Sequence, residues 1–327
     1  MKRILLFAAV IIAASCGVRP SAAAVNAPET GNAPAKVYFI PDVSSAALVQ
    51  SYKALGRAAT GKVAVKISTG EAGNDNYLHP ELIAELLKEV KGKIVECNTA
   101  YGGSRQDPAL HDKTIEEHGF NKVGGVDLMD RDGEVSIPVP EGSVVLKDDI
   151  VGKNMLNYDF MVVLSHFKGH AMGGFGGALK NLSIGCASTN GKAYIHTGGK
   201  DRTLQADTWS DKKLAGLDEF KDAMAEAAGA VVNHFGEKIL YINVIYRLSV
   251  DCDCDSHPAA PQMKDIGIAA SLDPVALDQA CVDMIFNSDD PGNRHMVERI
   301  VSRHGTRILY WAQHLGYGSR DYELVKL

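Results

Sequence analysis

Short unbroken apolar runs alternate along this chain with longer stretches in which apolar positions return every three or four residues. The first pattern marks strands buried on both faces, the second marks helices laid across them. Val37–Ile40, residues 62–68 (KVAVKIS), Lys93–Cys97, Val126–Met129, Tyr158–Leu164, Ile239–Arg247 and Asp265–Ala270 read as strands. Ala46–Leu55, a segment from Pro80 carrying Leu82, Ile83, Leu86, Leu87 and Val90, Ala109–His118, Leu217–Phe235, Val275–Ile285, Pro291–His304 and Arg307–Leu315 read as helices. Pro80 and the pair Asp273-Pro274 suit helix starts. The alternation implies an α/β fold with mostly parallel sheets and right-handed crossovers. Glu134–Lys147, rich in Val and Pro, is expected to add short strands at the edge of the first half. Two layouts satisfy the pattern: two α/β lobes, 36–148 and 149–327, or one large sheet with an elaborated second half.

The first residues follow another rule. Lys2 and Arg3 precede the apolar run Ile4–Ala14, which is the pattern of a secretory signal, here residues 1–24. The run is too short for a stable membrane span. Ala13–Gly17 resembles a lipobox that would place a lipid on Cys16, while Ser21–Ala24 offers small residues for ordinary cleavage. Residues 25–35 read as a flexible tether. The expected product is exported, either periplasmic or held to a membrane only through a lipid anchor on Cys16. With 46% hydrophobic residues the chain can build a core, and its net charge of −6 argues against nucleic acid as a partner. A small-molecule substrate or ligand is expected instead. Five cysteines follow Cys16, an odd number without framework spacing, so at least one is a free thiol or a ligand.

The chemistry is concentrated in Ser165–His196, which holds His166, His170, His196, Lys180, Cys186 and seven glycines in 32 residues. It follows a buried strand and reads as strand, glycine-rich turn and helix, the junction where open α/β sheets bind ligands. Gly174, Gly176 and Gly177 would let the chain approach a ligand, and Lys180 would bind phosphate or act as an amine nucleophile. The spacing is not that of a P-loop, and a structural turn with a surface lysine would read the same way. His166 and His170 suit metal or acid–base work. The second cluster is Asp251–His257 (DCDCDSH), where Cys252, Cys254 and His257 would bind metal or, for the thiols, cycle as a redox pair. A ferredoxin pattern and an EF-hand are both absent.

The stretches SHFKGHAMGGFGGALKNLSIGCAS, VKISTGEAGNDNYL, VECNTAYGGSR and DIGIAASLDPVALDQA resemble the bacterial family called domain of unknown function 362. The likeness runs from about Val37 to the C-terminus, without the iron–sulfur insert of some members, and implies no known activity. A more distant resemblance is to the nickel-pincer lactate racemases, in which a histidine, a Gly-Gly-x-Lys loop and a second histidine follow in order. It implies Lys180 as covalent anchor of a nickel-pincer nucleotide, His196 as nickel ligand and His170 as an acid–base residue. His111, His118 or His166 would supply the second acid–base group, and Arg105 would take the place of the substrate-binding arginine. Three functions therefore stand open. One is a metal- or cofactor-dependent isomerase or oxidoreductase acting on a small hydroxy or sugar acid. The others are a non-catalytic periplasmic metal or ligand carrier using DCDCDSH with Cys186, and a thiol redox protein; any metal of the site is expected to be a transition metal, nickel, zinc or iron. The enzyme and carrier readings meet in one site only if the 251–257 loop faces the 165–196 loop.

Overall fold

The computed structural model describes residues 34–327. The residues read as a signal segment, as a lipid attachment site at Cys16 and as nearly all of a tether lie outside the described residues. The chain begins with strand β1 (Ala35–Ile40), helix α1 (Ser45–Ala54), β2 (Val63–Lys66), α2 (Pro80–Val90), β3 (Lys93–Glu96), α3 (Pro108–Glu117) and β4 (Val126–Leu128). A hairpin-like pair follows, β5 (Glu134–Ile137) with β6 (Asp149–Gly152), and then β7 (Phe160–His166), β8 (Lys168–His170), β9 (Gly174–Gly176), α4 (Ala178–Cys186) and α5 (Thr189–His196). The remainder is α6 (Leu217–Phe235), β10 (Ile239–Ile245), β11 (Gly267–Ser271), α7 (Pro274–Phe286), α8 (Asn293–Ser302), α9 (Arg307–His314) and β12 (Tyr322–Lys326).

Eight strands form one sheet in the order β12-β1-β11-β10-β7-β2-β3-β4. Strands from both sides of residue 148 share it, so the two-lobe layout gives way to the single sheet with an elaborated second half. All neighbouring pairs are parallel except those made by β11, which runs against both β1 and β10. The segment between β10 and β11 contains no helix to carry the chain back, so β11 returns antiparallel. Every residue of β7 is buried, as its apolar run requires of a strand covered on both faces. Helices α1 and α2 cover one face, and α4 to α7 and α9 build the larger core on the other.

The strand order matters most at one place. From β2 the chain proceeds outward to β3 and β4, and from β7 it proceeds the other way to β10. The crevice between the C-terminal ends of β2 and β7 is therefore the topological switch point, where the backbone groups of two diverging crossovers are left facing a gap. Asn181 of α4 spans it: its Nδ2 donates to Lys66 O (3.0 Å), Leu164 O (3.2 Å) and Ser165 Oγ (3.1 Å).

Candidate active site at the sheet switch point

The turn after β7 is an antiparallel pair, β8 with β9, before α4 begins. Helix α4 has no capping side chain of its own, because its N-cap is Gly177. Asp278 from α7 takes that role, accepting from Ala178 N (2.8 Å) and Leu179 N (2.9 Å). A Cβ on Gly177 would lie 2.3 Å from Asp278 Oδ1, so the glycine is there to admit the carboxylate. Gly174, at φ +83°, packs on Gly305. Neither glycine cradles a ligand, as the sequence reading expected: the first amides of α4 already have their anion. Gly176 alone of the three faces the chemistry, beside the stems of Lys180 and Lys168.

Lys180 stands between two recesses. One is lined by Lys66, Glu96, Thr99, Arg105 and Lys192, the other by Ser165, His166, Lys168 and Asn181. Its Nζ has no hydrogen-bond partner among the described residues, and burial, with Lys168 adding positive charge nearby, pushes the amine down to about 7. A lysine in that state is substantially unprotonated at neutral pH and is nucleophilic.

The two histidines near Lys180 are held in opposite tautomers. His170 Nδ1 accepts from Gly173 N (2.7 Å) and Met172 N (3.2 Å), so its remaining proton is on Nε2. Burial, with Lys180 and His196 nearby, pushes its pKa well below the usual value and keeps it neutral. His170 thus presents an N–H donor, not the lone pair that an acid–base residue or a metal ligand needs. His196 is the reverse. Its Nδ1 donates to Lys192 O at 2.7 Å, leaving the Nε2 lone pair open, and burial pushes its pKa down to about 4. A backbone carbonyl fixing one nitrogen so that the other faces a site is the usual support of a ligating imidazole. Tyr101, Trp209 and Phe220 surround the His196 ring.

His166 is a structural group. Nδ1 faces Asp253 Oδ1 and Nε2 faces Tyr246 O, each at 2.8 Å, which occupies both nitrogens with acceptors. His111 is engaged in the same way by Asn98 and Glu96. His118 faces Thr69 O through Nδ1 and stacks on Tyr77. None of the three is placed as the second acid–base group. Arg105, buried at 2% exposure, is committed to Glu96 Oε1 at 2.8 Å and lies 3.5 Å from Glu71 Oε2.

The acidic cysteine loop does face the glycine-rich loop. Asp253 Oδ2 accepts from Lys168 Nζ at 2.6 Å while Oδ1 meets His166, and against the cost of burial these two partners hold the Asp253 carboxyl far below the usual range. Cys252 and Cys254 form a disulfide across that aspartate, so neither sulfur is available as a metal ligand in this state. Both sulfurs lie within 4.8 Å of a ring nitrogen of His170. His257 is exposed on the far part of the loop, bonded to Ser256, and does not join them. Cys186 is buried with Cys97 at the end of α4, outside this group.

Sequence reasoning missed Lys66, Lys168, Lys192, Glu96 and Asp253. For the first and fourth a signal existed: a charge closing a strand directly after apolar residues (Lys66 after VAV, Glu96 after IV) is placed where the sheet opens onto a ligand site.

A family model described as Domain of unknown function (DUF362) matches residues 63–283. Among solved structures, the lactate racemase apoprotein from Thermoanaerobacterium thermosaccharolyticum superposes with a TM-score of 0.43 at 15% identity, over 77% of this chain and 57% of its own. A protein from Thermotoga maritima gives a TM-score of 0.43 at 14% identity, over 73% of this chain and 57% of its own. The chain therefore matches little more than half the length of either. No curated protein matches it in sequence.

Proposed function

The chain belongs to the DUF362 family, whose description assigns no activity, and from its site we propose that it is a cofactor-dependent enzyme of the isomerase or oxidoreductase type acting on a small hydroxy or sugar acid. The observation that carries this reading is Lys180: a largely buried, depressed amine at the sheet switch point, with no hydrogen-bond partner among the described residues, near enough for its charge to act on both His170, which presents an N–H donor, and His196, which presents an open lone pair. Amine, ligand and donor are complementary roles. The His170–Lys180–His196 order that the sequence shares with nickel-pincer racemases supports a covalently held, metal-bearing cofactor. The residues fit such a group: Lys180 would hold it and His196 Nε2 would ligate its metal. When bound, it would supply hydride acceptance. The chain's own part is to bind and orient. His170 Nε2–H is suited to steadying negative charge on a substrate oxygen, as a neutral imidazole can. Asp253 keeps Lys168 and His166 fixed beside the amine.

Intact and peptide mass of protein purified from its native compartment, with elemental analysis on the same sample, tests this. The expected result is an adduct of several hundred daltons on the peptide holding Lys180, together with nickel, both lost in Lys180→Ala. An unmodified Lys180 without metal would refute the cofactor reading. A second reading, a thiol redox protein, draws support from the disulfide beside His170 and predicts reversible reduction of Cys252–Cys254 as the function itself. We also propose export, for which a disulfide is the expected companion.

A further inference from the structure

Four lysines, Lys66, Lys168, Lys180 and Lys192, line the two recesses, and only one of them has a carboxylate partner among the described residues. Lys168 has Asp253. Lys66 and Lys192, at 1% and 3% exposure, have no carboxylate within 4.0 Å among the described residues. Lys66 Nζ donates to Ile67 O at 2.6 Å and Asn181 Oδ1 at 3.1 Å, and Lys192 Nζ to Ala187 O at 2.6 Å. An ammonium has three donors. One on Lys66 and two on Lys192 are left over. The placement is built for: a Cβ on Gly185 would lie 2.8 Å from Lys66 Nζ, so that glycine clears the path for the head group.

Both lysines line the recess on one side of Lys180, a cavity of about 30 Å³. Thr99 Oγ1 on that lining is buried without a hydrogen bond, and Arg105 Nε makes none either, although it lies 3.5 Å from Glu71 Oε2. Glu96 is the one carboxylate on the lining, and its oxygens are taken up by Arg105, Thr69 and His111. Buried charges are retained in proteins when an opposite charge meets them. Here the donors converge: Glu96 acts on both lysines, and Asp130 on Lys192, only at longer range, and no carboxylate among the described residues makes an ion pair with either. The volume suits one compact group and not a whole substrate-sized molecule.

We propose that this recess is a subsite for a phosphoryl group, held by Lys66 and Lys192 with Thr99 and Arg105 completing its hydrogen bonds. A tetrahedral dianion matches two ammonium heads and several further donors, whereas a carboxylate has a single charge and two oxygens. The subsite adjoins Lys180, so a phosphorylated molecule seated there has its remaining part beside the amine. The inference holds whether or not Lys180 carries a cofactor.

The test is calorimetric titration of the purified full chain with inorganic phosphate, methyl phosphate and acetate, repeated with Lys66→Met and Lys192→Met. Phosphate is expected to bind in preference to acetate and to raise the melting temperature. Each variant should weaken it roughly tenfold or more, the loss expected for a buried charge-assisted hydrogen bond. Methyl phosphate binding as well as phosphate would identify the end of a larger ester, and phosphate binding alone would identify the free ion; either supports the subsite. Each substitution removes a buried charge without an ion-pair partner but leaves the acceptors that Lys66 and Lys192 now meet unsatisfied, so the melt of each variant is also recorded without phosphate, and a cooperative transition separates lost binding from lost folding. Absent phosphate binding by the parent, equal binding by folded variants, or a preference for acetate would overturn the proposal. Failure here leaves the adduct on Lys180 as a separate question, since no activity is read.

Discussion

Asp253→Asn is the most informative single change in the site. The substitution keeps the shape of the side chain and removes the charge that faces Lys168 Nζ at 2.6 Å and His166 Nδ1 at 2.8 Å. All three groups are at most 5% exposed in their side chains, so solvent does not replace the lost partner. Breaking a buried pair from one side typically costs about 3–5 kcal/mol, a large part of the roughly 5–15 kcal/mol that holds a domain folded. The folded-state pKa of Asp253 is depressed, so its contribution is present above the ordinary carboxylate range and is lost as pH falls through the folded value. The difference between parent and variant should therefore be full at pH 7 and shrink in strong acid. Urea unfolding followed by the fluorescence of Trp209 and Trp311, at several pH values, measures it. A cost below about 1 kcal/mol at pH 7 would refute the idea that this aspartate anchors the two loops. Asp253 is also a charge that raises Lys180, so the variant should lower the Lys180 pKa further.

Other outcomes follow from the same geometry. The folded-state pKa of Lys180 lies near 7 against the usual 10.5, so the native state binds fewer protons than the unfolded chain between those values and its stability from this group rises with pH. Lys180→Met should accordingly be more stable than the parent at pH 6, with the advantage gone by about pH 10, as read by thermal melts. Gly177→Ala should cost about 1–3 kcal/mol by displacing Asp278 from the start of α4, and should raise amide exchange at Ala178 and Leu179. Reducing the Cys252–Cys254 disulfide should cost roughly 1–2 kcal/mol and loosen the Asp253 loop, visible as a lower urea midpoint in the presence of a phosphine reductant.

The elements were legible because burial imposes its pattern locally. The run Tyr158–Leu164 and the helical spacing from Leu217 to Phe235 each name their structure without help from the rest of the chain. Strand β12 was not, since YELVK is a half-exposed edge strand lacking an apolar run. Helix α5 was hidden by Thr189 and Gly191 and exists because Ser188 caps it, accepting from Gly191 N at 3.0 Å. The site was legible as a neighbourhood and not as a set of roles. Lys180 and His196 could be singled out from spacing, but the protonation of His170 depends on which amides reach its Nδ1. His166 could not be recognised as structural until Asp253 and Tyr246, some 80 residues away in sequence, were seen to occupy both its nitrogens. The glycines misled for the same reason: the anion they admit at α4 comes from Asp278, about 100 residues downstream.

The central claim is that the fold delivers a reactive amine at the switch point, and the titration of Lys180 tests it most directly. Competitive acylation of protein whose Lys180 is unmodified, quantified by peptide mass spectrometry across pH 5–11, yields its pKa against the surface lysines of the same sample. A midpoint near 7 is predicted for Lys180, against about 10.4 for a free lysine side chain. A Lys180 that titrates with the surface lysines would contradict it.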